Sequence, residues 1–176
     1  MMRQSVSAFN IETNSPSDTS GIERLINNNI IDPRRIIAII GKTEGNGGRN
    51  DFSRSLSEEV ILNFLSVKTG YSTSYLRERV ILSFSGGTEG VVTPHIVVFS
   101  CEDDKKDQFT INQNIEKRLA IGIGYTRKFE SNEIGRMAQI RETSSAIKSI
   151  VNQLNIPMED IHLIQMKGAI PNSVYS

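Results

Sequence analysis

Apolar and polar positions along the chain fall into short blocks that mark its elements. Ser5 to Ile11 alternates, with Val6 and Ala8 on one face, and predicts a first strand. Behind Ser20, a suitable N-cap, Ile22, Leu25 and Ile26 recur at helical spacing until Asp32-Pro33 breaks the pattern. Ile36 to Ile40 is an unbroken apolar run, which predicts a central strand buried on both faces. A glycine-rich loop follows. A helix starting near Ser55 or Ser57 then turns Val60, Ile61, Phe64 and Leu65 inward and ends at Gly70. Ser72 to Arg79 predicts a short helix, Val80 to Phe84 a strand, and His95 to Ser100, after Pro94, another strand.

Beyond Cys101 the pattern changes. Glu102 to Asn114 is charged and polar and reads as a linker. Leu119 to Tyr125 predicts a strand, Ser131 to Leu154 one long helix stopped by Pro157, and Ile161 to Met166 a last strand running into Lys167. The expected organisation is a complete first unit over 1–104, a linker over 105–114 and a second unit over 115–176. The fold class is α+β, built from repeated β-α-β units with mixed sheets, the first complete and the second truncated.

An internal repeat underlies this division. Shifting the chain by 125 positions lays Lys42 on Lys167, Ile39 on Ile164, Ile36 on Ile161, Ile31 on Ile156 and Ile22 on Ile147, without a gap. Any two helix–strand pairs share apolar periodicity. The coincident lysines go beyond that. The counterpart of Ser85 would fall at position 210, past Ser176, so the polypeptide is expected to be a fragment, a split gene product or one part of an assembly.

Composition narrows the function. The 176 residues can bury roughly 70% of their unfolded surface, enough for a real core. Lys plus Arg and Asp plus Glu both number 20, and the balance argues against an electrostatic nucleic-acid or membrane-surface binder. With no tryptophan and 6% aromatics there is little material for base stacking. The single cysteine, Cys101, fits a reducing cytoplasm, and no run approaches the ~18 apolar residues of a membrane span.

Two loops carry the candidate chemistry. Gly41-Lys42-Thr43-Glu44-Gly45-Asn46-Gly47-Gly48 and Ser85-Gly86-Gly87-Thr88-Glu89-Gly90 each follow an apolar run and share Thr-Glu-Gly. A phosphate loop would need glycine where Ile36 stands, and a nucleophile elbow would need glycine where Ser83 stands. A Ser–Lys pair survives: a lysine can take a serine proton where histidine is absent, and glycine N–H groups can hold an oxyanion. The plainer alternative is a surface lysine and a turn serine ending two strands. Arg54 could grip a carbonyl oxygen in a forked hold, or be a surface residue at a helix start. His95 and His162 stand alone, without metal-ligand spacing, and His95 reads as structural.

These loops, with Asn50-Asp51-Phe52-Ser53-Arg54, Pro94-His95 and Ile134-Gly135-Arg136-Met137-Ala138-Gln139, resemble the ring-opening cyclic amide hydrolases, that is, cyanuric acid hydrolases and barbiturases. The resemblance covers almost the whole chain. It implies three similar α+β units around a pseudo-threefold axis, each giving a lysine, an arginine and a serine with its following N–H to a flat ring substrate. It further implies that an activated serine attacks a ring carbonyl and that water releases an opened amide. By position, Lys42, Arg54, Ser85 and Gly86 form the first set, and Lys167 begins the second. Ser85, Lys42 and Lys167 are thus the expected catalytic residues, with Arg54, Ser85 and Gly86 binding the substrate. No metal and no cofactor is expected. A homo-oligomer or further C-terminal units would supply the rest of the site. The alternative is a non-catalytic binding or scaffold subunit that completes a site with another chain.

Overall fold

The computed structural model describes residues 4–87, 92–103 and 119–168. The chain divides into two compact units, Met1–Leu119 and Ala120–Ser176. The expected linker over 105–114 lies outside the described residues.

In the first unit the elements run β1 (Gln4–Glu12), α1 (Ser20–Asn27), β2 (Ile36–Lys42), α2 (Ser53–Thr69), α3 (Thr73–Arg79), β3 (Ile81–Ser85) and β4 (His95–Asp103). They form one mixed four-stranded sheet in the order β1-β4-β2-β3. β4 pairs antiparallel with both β1 and β2, whereas β2 and β3 are parallel. A parallel pair needs a long crossover, which α2 and α3 provide. β4 runs to Asp103, so Glu102 and Asp103 lie in the sheet opposite Ser5 and Gln4 and not in a linker.

β2 is interior, as its apolar run predicts. Ile39 pairs with Leu82 on one side and Val98 on the other, and all three are buried. Along β4 burial alternates: Ile96, Val98 and Ser100 are buried, while Val97, Phe99 and Cys101 are half-buried. The buried face meets Ile22 of α1, Ile61, Leu62 and Leu65 of α2, and Leu76 of α3 in one cluster. Leu62 and Leu65 are fully enclosed, and Val60 and Phe64 sit at the margin.

The second unit departs from the pattern. Ser131–Glu133 is a separate 3₁₀ turn, and the helix proper, α4, spans Met137–Leu154. Between them Gly135 adopts a φ of 72°, outside helical space, so Ile134 is not part of α4. The expected strands over 119–125 and 161–166 are not formed among the described residues. A strand exists only with a ladder partner, and apolar content alone does not provide one. The first of these segments packs instead along α4. A methyl group on Gly122 would fall 2.1 Å from Ile150 Cγ2, and one on Gly124 2.7 Å from Ile150 Cδ1. A second 3₁₀ turn, Met158–Asp160, follows Pro157. Among the described residues no helix is long and apolar enough to cross a membrane.

Candidate functional site

Lys42 and Ser85 end adjacent parallel strands and are direct ladder partners. Paired residues project to the same face, so this register sets the two side chains side by side. The face is the one opposite the core cluster, shared with the half-buried Ile40 and Ser83. The antiparallel ladder extends the row. His95 pairs with Lys42, and Glu12 pairs with His95, which makes Ser85, Lys42, His95 and Glu12 a polar row across all four strands. His95 Nδ1 lies 2.7 Å from the Thr93 carbonyl. A carbonyl can only accept, so Nδ1 is the donor in this contact.

Ser85 is exposed, Lys42 half-buried and Gly86 buried. Lys42 Nζ donates to the Gly86 carbonyl at 2.7 Å. Among the described residues no side-chain hydrogen bond joins Lys42 directly to Ser85. The Gly86 N–H, one residue past the ladder, has no acceptor among them either. The two loops are stitched together beneath this rim. Thr43 N donates to the Ser85 carbonyl at 2.8 Å, and Gly87 N donates to the Gly45 carbonyl.

Arg54 comes from the first turn of α2. Its NH2 donates to the Gly48 carbonyl at 2.9 Å, and its Nε stands 3.7 Å from Asp51 Oδ2. The helix begins at Ser53, earlier than periodicity indicates, because Asp51 Oδ1 accepts both the Ser53 N–H at 3.0 Å and the Ser53 hydroxyl. Thr43 Oγ1, 2.7 Å from Ser53 Oγ, carries the link back to the end of β2.

Asp51 is the residue that sequence reasoning did not single out. Its side chain is 1% exposed. Besides Ser53 and Arg54 it receives the Gly47 N–H at 2.8 Å. The Ser53 hydroxyl first, then the Gly47 and Ser53 amides and the Arg54 charge, hold the carboxyl below its ordinary range against the opposing effect of burial. Its carboxylate is wedged between two glycines: a methyl on Gly45 would fall 1.9 Å from Oδ1, and one on Gly86 2.1 Å from Oδ2. The one-dimensional signal was weak. A loop acid whose partners are a nearby hydroxyl, two backbone amides and one arginine has no spacing signature that sets it apart.

The structure therefore brings Lys42, Ser85 and Gly86 together and ties Arg54 to them through Asp51. Lys167 lies in the second unit, exposed, on the irregular segment 161–168. His162 is exposed on the same segment. Among the described residues no group of three His, Cys, Asp or Glu side chains is placed to hold a metal ion.

Comparison with known proteins bears on this arrangement. Residues 7–174 match the model of the family described as amidohydrolase ring-opening protein. A cyanuric acid amidohydrolase of Bradyrhizobium diazoefficiens is 40% identical over 168 residues, which cover 95% of this chain and 45% of the relative. Barbiturase 1 of a Nocardioides species is 30% identical, over 94% of this chain and 44% of its own length. A solved cyanuric acid hydrolase, described as an evolutionary innovation by structural concatenation, superposes with a TM-score of 0.79 at 38% identity, over 89% of this chain and 42% of the other. The chain thus spans less than half the length of the relatives it matches. With the family model matched from residue 7 to 174 and relatives alike in both sequence and structure, the chain belongs to the amidohydrolase ring-opening protein family.

Proposed function

We propose that this chain takes part in the hydrolytic opening of a cyclic amide ring, cyanuric acid or a related ring such as barbiturate. The observation that carries the reading is the register of Lys42 beside Ser85 at one rim, with Gly86 directly behind the serine. The names of the relatives, cyanuric acid amidohydrolase and barbiturase, point to the same substrate class.

The chemistry follows from the positions. Lys42, as the base, takes the Ser85 hydroxyl proton as Oγ bonds to a ring carbonyl carbon. The Gly86 N–H and the Arg54 guanidinium hold carbonyl oxygens as negative charge develops. The ring C–N bond breaks, and its nitrogen receives the proton from Lys42. Water then cleaves the serine ester and restores the hydroxyl. Lys167 is proposed as the matching base of a second, repeated unit. One structural coincidence supports the repeat: the 3₁₀ turns Pro33–Arg35 and Met158–Asp160 stand at the same 125-position offset as the two lysines. Assembly with further units or copies belongs to the same proposal.

A second reading is that this pair binds the ring without attacking it. The Lys42 ammonium's bond to the Gly86 carbonyl, in place of Ser85, favours it. Turnover of cyanuric and barbituric acid by the protein and by Lys42→Ala and Ser85→Ala separates the two. The catalytic reading expects kcat/KM to fall about a hundredfold or more in each variant. Undiminished turnover in both would remove these residues from the mechanism.

A further inference from the structure

We propose that Asp51 is the positioning residue of this site, the group that fixes Arg54 and the Ser85–Gly86 turn relative to the Lys42 loop. The inference rests on the reading of Arg54 and Gly86 as substrate-binding groups, and it goes further by naming what holds them. One enclosed carboxylate reaches three segments. Oδ2 accepts the Gly47 N–H and faces Arg54 Nε, and Oδ1 accepts both donors of Ser53 at the start of α2. The backbone of Gly86 lies directly against Oδ2, at a distance that leaves no room for a side chain. The Gly87-to-Gly45 and Thr43-to-Ser85 backbone bonds close the same junction.

The chemistry of the residue is specific. Both oxygens face donors, so a carboxylate satisfies every partner. An asparagine of the same shape cannot. With its amide nitrogen at Oδ2, it opposes the Gly47 N–H and Arg54. With the nitrogen at Oδ1, it opposes the Ser53 N–H. A glutamate is longer than the space between Gly45 and Gly86 allows. A merely space-filling residue would tolerate Asp51→Asn, and a positioning carboxylate does not.

The test uses the whole protein and Asp51→Asn, with two readouts. The first is backbone amide hydrogen exchange at Gly47 and Gly87, which needs no assumption about the reaction. Exchange at both is expected to accelerate at least tenfold while the thermal transition persists; unchanged exchange overturns the proposal. The second is ring-opening kinetics, with Asp51→Asn expected to lower kcat/KM about tenfold or more. In an Arg54→Ala background the further loss is expected to be smaller, because the two residues act through one contact. Fully additive losses would overturn the link to Arg54. Should the wild-type protein open neither ring, the functional reading fails, while the exchange result still decides the role of Asp51 in holding the loops. Should Asp51→Asn not fold, Ser53→Ala replaces it: removing one donor from Oδ1 is expected to speed Gly47 exchange, and unchanged exchange overturns the proposal.

Discussion

Gly86 and Gly70 are both glycines at element ends, and they predict opposite consequences. A methyl at Gly86 would fall 2.1 Å from Asp51 Oδ2, 2.7 Å from Gly47 N and 2.9 Å from Gly45 O, two of them backbone atoms that cannot swing aside. At Gly70, which closes α2, nothing lies within 4 Å. Gly86→Ala is therefore expected to lower ring-opening kcat/KM about a hundredfold or more by displacing the turn. Gly70→Ala is expected to cost only about 1 kcal/mol of stability through its backbone conformation and to leave kcat/KM unchanged. Steady-state kinetics and thermal unfolding of the two variants check this. At the same scale, Glu133 receives both terminal nitrogens of Arg127, at 2.6 and 2.8 Å, and the Glu130 N–H. The Arg127 bond first, then the Glu130 amide, push its carboxyl down to about 2. A depressed carboxyl contributes stability that is complete above its unfolded value of 4.5 and is lost as pH falls toward about 2. A carboxyl titration of Glu133 followed by NMR is expected to show a midpoint near that value, and a midpoint at the ordinary glutamate range would contradict the contact. Lys42, Ser85 and Gly86 drew attention in the sequence because they border two glycine-rich loops that share Thr-Glu-Gly, and Arg54 joined them through the family resemblance. Asp51 and His95 were not singled out as site residues, since Asp51 works through the Ser53 hydroxyl, backbone amides and Arg54, and His95 meets Lys42 only through cross-strand register.

At the scale of elements, the sheet is the frame that makes the rim possible. Ile39 is fully buried between Leu82 and Val98, so its packing sets how β2 lies against β3 and hence where Lys42 meets Ser85. Ile39→Ala is expected to destabilise the protein by about 2–5 kcal/mol, read from the denaturant midpoint at constant slope. A loss below about 1 kcal/mol would mean that this strand is not the centre of the core. Several strands and helices of the first unit were readable because they carry their own pattern: alternation in β1, an unbroken run in β2, a helical stripe in α2. The 119–125 and 161–166 segments have the apolar content of strands but no described ladder, because a strand depends on a partner that its own residues do not encode. Gly135 likewise splits a stretch whose apolar spacing reads as one helix.

At the scale of the whole molecule, the proposed site draws Lys42, Arg54 and Ser85 from the first unit, and Lys167 lies in the second. Its relatives are more than twice as long, and the proposed repeat rests on the 125-position offset shared by two 3₁₀ turns and two lysines. The measurement that bears most directly on the account is the structure of the protein with cyanuric or barbituric acid bound. Ring carbonyl oxygens are expected about 3 Å from the Arg54 guanidinium and the Gly86 N–H, with the Ser85 hydroxyl facing a ring carbonyl carbon. A ring bound elsewhere, touching none of Lys42, Arg54, Ser85 or Gly86, would contradict the assignment.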